Sequence, residues 1–285
     1  MTDGNRGSAH GASGDLDTTF VTFGTADFSQ ARARYIRSLA RFGFTRVLAF
    51  DPQSPPVLQA RAENPEIFAH VRGYGYWLWK PYIIEAALAQ TALGGRVMYT
   101  DIALEMVASP ARLFELAGDH DVVVFRIGTG MRQREYTKRD AFVLMDADTP
   151  QFWDDEQVCG GYMLLRNTPA ARDFVQRWRT AMRDPRMLLD QPGTLAPAEH
   201  PEFRVHRHDQ SIISILATRD RLPILADPSQ WGRDRLGHAE LPPGSDRFIA
   251  VDSGQVFKLH RYRDRPWHRR LARWMRDDLL RRGGA

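Results

Sequence analysis

The chain has 285 residues, enough for one large domain with a sizeable core, and 43% of them are hydrophobic, an ordinary globular fraction. A single cysteine, Cys159, excludes an internal disulfide framework and a cysteine-rich zinc knuckle, and points to a reducing, cytoplasmic setting. The net charge of +4 arises at one end: residues 261–285 hold nine Arg and three Asp, leaving −2 on the remainder, which excludes a nucleic-acid-binding body with a basic stripe.

Residues 1–17 are rich in Gly, Ser and Asp with no apolar stretch, and read as a disordered tail rather than a signal peptide or anchor. No window reaches the roughly 18 consecutive apolar residues of a membrane span. TTFVTF (18–23) predicts a first strand ended by Gly24, residues 29–44 a helix stopped near Gly43, and TRVLAFD (45–51) a second strand. From Lys80 the run PYIIEAALAQTAL predicts a helix with Pro81 in its first turn, where a missing N–H costs nothing. RVMYTD (96–101), DHDVVVFRI (119–127) and QVCGGYMLLRN (157–167) follow as strands, then a helix capped by Thr168 and another over HDQSIISILAT (208–218). Strands that are apolar throughout, alternating with helices, predict an α/β fold: a mostly parallel central sheet with helices on both faces.

In open α/β sheets ligands bind beyond the carboxyl ends of the strands. Thr22, Phe23, Gly24 and Thr25 stand at one such end, and Asp101 at another. Each alone suits a turn or a cap; their conjunction marks a site. Lys80 either adds a point charge to helix N-terminal amides that favour a phosphate, or is a solvated surface lysine. Of Tyr74, Tyr76, Trp77 and Trp79 some must be core, and Tyr76 and Trp79 are taken to line the site. Asp209 either caps its helix or, with Gln210, faces a ligand as a catalytic carboxylate–amide pair. Gly160 and Gly161 allow close backbone approach to a ligand, or a tight strand bend. Lys138 is a further basic candidate.

RGYGYWLWKPYII (72–84), VMYTDIA (97–103) and HRHDQSIISIL (206–216), in this order and at these distances, resemble a group of bacterial GT-A-fold glycosyltransferase-like proteins associated with capsular and surface polysaccharide synthesis. The resemblance spans roughly residues 18–262. It implies a GT-A-like, Rossmann-like sandwich that binds a nucleotide sugar, with UDP-sugars the leading donor class and a glycan or lipid-linked acceptor. It turns Lys80 and Lys138 toward the donor, places Asp209 and Gln210 beside the sugar, as in glycogenin-like retaining transferases, and sets Gly160 and Gly161 toward the acceptor. The third strand ends where such enzymes carry an Asp-x-Asp metal motif, but this chain reads Asp101-Ile102-Ala103. A divalent ion, Mn²⁺ or Mg²⁺, is then expected on Asp101 and on His260 of VFKLHRYR, with diphosphate oxygens and waters completing its sphere.

Two other functions stay open: a catalytically silent nucleotide-sugar-binding module, for which Ala103 is the evidence, and a metal-dependent phosphohydrolase built on HRHD. Residues 263–285 carry Trp267, Leu271, Trp274, Met275 and Leu279 at helical spacing among arginines. That stripe suits either a basic amphipathic helix on an anionic membrane face, making the protein peripheral on the inner side, or packing on the domain's own surface.

Overall fold

The computed structural model describes residues 17–127, 131–195, 198–235, 247 and 253–260. The expected amphipathic helix at 263–285 and all but the last residue of the expected tail lie outside them. Six strands form one sheet: β1 (Thr19–Phe23), β2 (Val47–Phe50), β3 (Arg96–Thr100), β5 (Val122–Phe125), β6 (Tyr162–Arg166) and β7 (Ile224–Leu225), in the order β2-β1-β3-β6-β5-β7. The β1–β2, β1–β3 and β5–β7 pairs are parallel, and β6 runs against both β3 and β5. The sheet is therefore mostly parallel with one reversed strand. Short strands β4 (Leu104–Met106) and β8 (Phe257–Leu259) pair as a separate antiparallel ribbon.

Alternate side chains along each strand leave the sheet on opposite sides, so the apolar strands feed two cores. Val21, Val97, Val122 and Met163 face one, which is roofed by α2 (Pro55–Glu63), α3 (Trp79–Ala89), α4 (Pro169–Met182) and α5 (Asp209–Arg219). Phe20, Met98, Val123 and Leu164 face the other, roofed by α1 (Ser29–Ala40) and the turn of helix at Ala111–Ala117. Burial of both sheet faces explains why the strands read as continuous apolar runs. No helix among the described residues is long and apolar enough to cross a membrane.

Several elements differ from the sequence reading in detail. Residues 41–44 form a turn instead of extending α1, because Gly43 takes φ +86° and Phe44 N–H bonds back to Leu39. The strand expected at 18–23 and the cap expected at Thr168 are found, the latter accepting from Ala171 N–H. Residues 184–188 begin with Asp184, which accepts from Arg186 N–H at the start of a short helix, Pro185–Leu188.

Candidate functional site

Because β6 is antiparallel, its beginning lies beside the end of β3: Thr100 pairs with Tyr162, and Asp101 N–H donates to Gly161 O at 3.0 Å. The glycine pair ahead of β6 is thus brought against the carboxylate that follows β3. A Cβ on Gly161 would stand 3.3 Å from Asp101 Oδ2, and one on Gly160 would stand 3.2 Å from Asp209 Oδ2. Glycine at both positions permits the approach of two carboxylates to one backbone turn.

Lys80 closes this arrangement from the first turn of α3. It is only 3% exposed. Its Nζ donates to Asp209 Oδ2 at 2.5 Å and to Gly160 O at 2.8 Å, and lies 3.9 Å from Asp101 Oδ1. Burial lowers the lysine's pKa, but the carboxylates of Asp209 and Asp101 outweigh it and hold the pKa above the ordinary value, so the ammonium is retained. Burial pushes the Asp209 carboxyl up against the opposing pull of Lys80. Tyr99, two residues before Asp101 and so on the same side of the strand, donates its hydroxyl to Asp101 Oδ1 at 2.7 Å. That leaves Oδ2 of a side chain that is 44% exposed.

Asp101 and Ala103 are the shared wall of two clefts. The first, of about 470 Å³, is lined by Phe23 at the end of β1, by Gly24, Thr25 and Asp27 after it, and by Tyr74, Trp77 and Trp79. Phe23 stacks on Trp79 with ring centroids 4.1 Å apart. The second, of about 360 Å³, lies on the other side of Asp101 and is lined in part by Gly161, Tyr162, Gln210, Asp227 and Trp231. Both volumes are in the range of small-molecule sites.

The aromatic wall depends on an uncommon backbone. Gly73, Tyr74, Gly75, Tyr76 and Trp77 all have φ between +50° and +80°, a left-handed turn closed by Tyr76 N–H to Arg72 O at 2.8 Å and Trp77 N–H to Gly73 O at 3.2 Å. For the three non-glycine residues this conformation costs roughly 1–2 kcal/mol each. The turn lays the Trp77 indole over Gly73, where a Cβ would meet it at 2.5 Å. It also sorts the aromatics differently from the sequence reading: Tyr74 and Trp77 line the cleft with Trp79, while Tyr76 turns away and donates to Asp190 Oδ2 at 3.0 Å. Asp190 also receives Arg72 at 2.7 Å, tying the turn to the loop after Leu188.

Other candidates fall in place unevenly. Gly24, Thr25 and Phe23 line the first cleft, but Thr22 is buried in the sheet. Asp209 is the first residue of α5, and the cap position is His208, which makes no side-chain cap bond; the Asp209 carboxylate goes to Lys80 instead. Gln210 is held by Gly160 N–H at 3.4 Å on its Oε1 and by donation to Gln157 Oε1 at 3.0 Å. Lys138 lines neither cleft; its Nζ donates to the carbonyls of Leu189 and Gln191 and fixes the loop there. His206 and His208 are buried against main-chain carbonyls of Met187 and Leu188, and among the described residues they join no group of three side chains that could hold a metal for a phosphohydrolase.

The ligand set for a divalent ion is sparse. Among the described residues no group of three or more His, Cys, Asp or Glu side chains is placed to hold a metal. His260 N–H reaches Ala103 O at 2.7 Å, and its Nε2 is engaged with Glu105 Oε2 at 2.8 Å. A histidine that bonds a carboxylate through one ring nitrogen ligates a metal through the other, so this bond leaves Nδ1 as the atom by which His260 would hold an ion. Asp101 fits as one oxygen donor for an ion whose remaining ligands come from a diphosphate and water. Tyr99, Asp227 and Trp231 were not singled out by sequence reasoning. The i, i+2 spacing of Tyr99 and Asp101 on one strand was the available signal for the first; the other two sit in a segment with no periodicity.

No family profile matches the chain, and no curated protein matches it. Similar solved structures include mouse xyloside xylosyltransferase 1 in its apo form, 13% identical and covering 86% of this chain and 97% of that one, with a TM-score of 0.45. The apo form of the glycosyltransferase GlyE of Streptococcus pneumoniae TIGR4 is 14% identical and covers 88% of this chain and 56% of its own, with a TM-score of 0.43. The galactosyltransferase LgtC in complex with donor and acceptor sugar analogs is 13% identical and covers 88% and 90%, with a TM-score of 0.39.

Proposed function

We propose that the chain is a glycosyltransferase that takes a sugar from a nucleotide donor. The observation that carries this reading is the position of Asp101, half-exposed on the wall between an aromatic cleft and a polar one, with the buried Lys80–Asp209 pair beneath it. The base of the donor stacks against Tyr74, Trp77 and Trp79, and the glycine backbone after β1 admits the ribose. The diphosphate then lies at Asp101, which fits a Mn²⁺ or Mg²⁺ ion carried with it. When bound, such an ion neutralises charge on the leaving diphosphate.

This chain's own residues supply orientation. Lys80 holds Asp209 and the Gly160 carbonyl in one place beneath the clefts, and so fixes the glycine turn that sets Gly161 against Asp101 at their junction. Gln210 presents its amide to the same junction, restrained by Gly160 and Gln157. On the sequence resemblance, the pathway is surface polysaccharide synthesis and the donor is a UDP-sugar. The same resemblance gives a glycan or lipid-linked acceptor at a cytoplasmic membrane face, which residues 263–285 would contact.

The replacement of the second motif carboxylate by Ala103 favours one competing reading, a binding module without turnover. Both are decided by incubating the full chain with a panel of nucleotide sugars, Mn²⁺ and glycan acceptors, and measuring released nucleoside diphosphate beside binding by calorimetry. Release that requires an acceptor and is lost in Asp101→Ala is expected. Binding without release identifies the silent module, and neither binding nor release with any donor rejects both.

A further inference from the structure

The Asp101 carboxylate stands between two cations, one present in the chain and one that a donor would bring. The Lys80 ammonium lies 3.9 Å from Asp101 Oδ1, at the edge of ion-pair contact. Two of its three protons go to Asp209 Oδ2 at 2.5 Å and to Gly160 O at 2.8 Å, which leaves one for Asp101. A small rotation of the Asp101 side chain would complete that pair. Lys80 is 3% exposed, so the rotation would carry the carboxylate inward, away from the two clefts that it lines.

Tyr99 opposes this. Its ring is buried in the core roofed by α3, and its hydroxyl donates to the same oxygen, Oδ1, at 2.7 Å. Residues two apart on a strand point to one side, which is why the phenol reaches the carboxylate at all. The ring is held in turn under Lys80, whose Nζ stands 5.4 Å from its centroid. The Asp101 backbone is anchored as well, by its N–H to Gly161 O at 3.0 Å. With the main chain and Oδ1 both fixed, Oδ2 has one position. It lies against Gly161, where a Cβ would stand 3.3 Å from it, and Gly161 lines the second cleft with Asp101.

Resting on the donor reading above, we infer that Tyr99 is a positioning residue: its hydroxyl fixes Asp101 with Oδ2 offered at the clefts to the cation of an incoming diphosphate, and keeps the carboxylate from closing on Lys80. Loss of that hydroxyl alone leaves the ammonium as the strongest attraction on Oδ1. Asp101 is then neutralised from within the chain and is withdrawn from the clefts. Hydrogen-bond partners standing behind a metal-binding group typically change metal affinity by about 10–100-fold.

The test compares the native full chain with Tyr99→Phe, which keeps the ring and removes one oxygen. Uridine, guanosine and their diphosphates are titrated by calorimetry with and without Mn²⁺, and urea midpoints are recorded on the same samples. The gain in diphosphate affinity that Mn²⁺ confers is expected to fall at least about tenfold in the variant, while nucleoside affinity and Mn²⁺-free diphosphate affinity stay at their native values. A hydroxyl with a merely structural role would weaken all ligands together or none, and either result overturns the inference. Replacement of Tyr99 by 4-aminophenylalanine restores a donor at the same place and should restore the gain; a folded protein of this kind that lacks it also overturns the inference, whether or not Tyr99→Phe folds. A native chain that shows no Mn²⁺-dependent gain rejects the donor reading and the inference with it, whereas a native gain that survives whole in Tyr99→Phe rejects the inference alone.

Discussion

The aromatic cleft takes its described lining from three stretches of chain, 23–28, 71–79 and 101–103, whereas the second cleft draws on six, from 101–104 through 127, 159–162, 210 and 227–231 to 259. The first is therefore a local construction, held by one left-handed turn and by rings that touch each other. The second is a product of topology, assembled only because β6 runs backwards and β8 returns to β4. The difference teaches where strain is concentrated: it lies in the local wall, while carboxylates line both clefts, Asp27 in the first and Asp227 in the second, and Lys80 with Asp209 braces the point where they meet.

Breaking that brace has the largest expected effect. Lys80→Ala leaves Asp209 buried without its cation, and removal of one partner from a buried pair costs about 3–5 kcal/mol. Urea unfolding should record that loss, and the paired replacement of Lys80 by Met with Asp209 by Leu should recover most of it. An Ala variant of native stability would mean that the pair does not brace the junction.

Next in size is a change confined to the aromatic wall. Gly73→Ala keeps φ +57° only under strain and drives a Cβ into the Trp77 ring, for about 1–3 kcal/mol. Nucleotide binding should weaken along with stability, and undiminished nucleotide binding in the variant would show that the aromatic wall does not hold the donor.

The smallest effect concerns pH and the loop behind Tyr76. His206 Nδ1 accepts Lys138 N–H at 3.2 Å and its Nε2 reaches Met187 O at 2.7 Å, which fixes the neutral ring. Burial, followed by the neighbouring His208, holds its pKa well below the usual value, and burial lowers that of His208 as well. As pH falls below about 6.5 the unfolded chain binds protons that the folded chain refuses. Stability present above that pH should fall by up to about 1.4 kcal/mol per pH unit for each histidine until the folded pKa is reached. Denaturant midpoints from neutral to mildly acidic pH check this, and a His206→Gln variant should flatten the slope.

The sheet was legible in the sequence because strands covered on both faces are apolar without interruption, and Gly24, Pro81 and Thr168 punctuate them. Asp101 was legible as a strand end. What could not be read was direction and conformation. Nothing in the stretch Gly73–Trp77 announces five consecutive left-handed residues, so the choice of Tyr76 over Tyr74 and Trp77 for the cleft followed from assuming ordinary backbone. Lys80 was legible as a cation at a helix start, read there as a phosphate contact or a solvated side chain; its burial against Asp209, 129 positions away, was not. Asp227 and Trp231 belong to a stretch whose meaning arises only when β6 and β8 are in place.

The central claim, that Asp101 receives the diphosphate of a donor whose base lies in the aromatic cleft, is tested most directly by calorimetry. Uridine and guanosine, and their diphosphates with Mn²⁺, are titrated into the native chain and into Asp101→Asn, which keeps an Oδ1 to accept the Tyr99 hydroxyl. The account predicts that one diphosphate binds the native chain more tightly than its nucleoside, that this advantage and its Mn²⁺ dependence vanish in the variant, and that the nucleoside still binds. Equal diphosphate affinity in the native chain and the variant would contradict it.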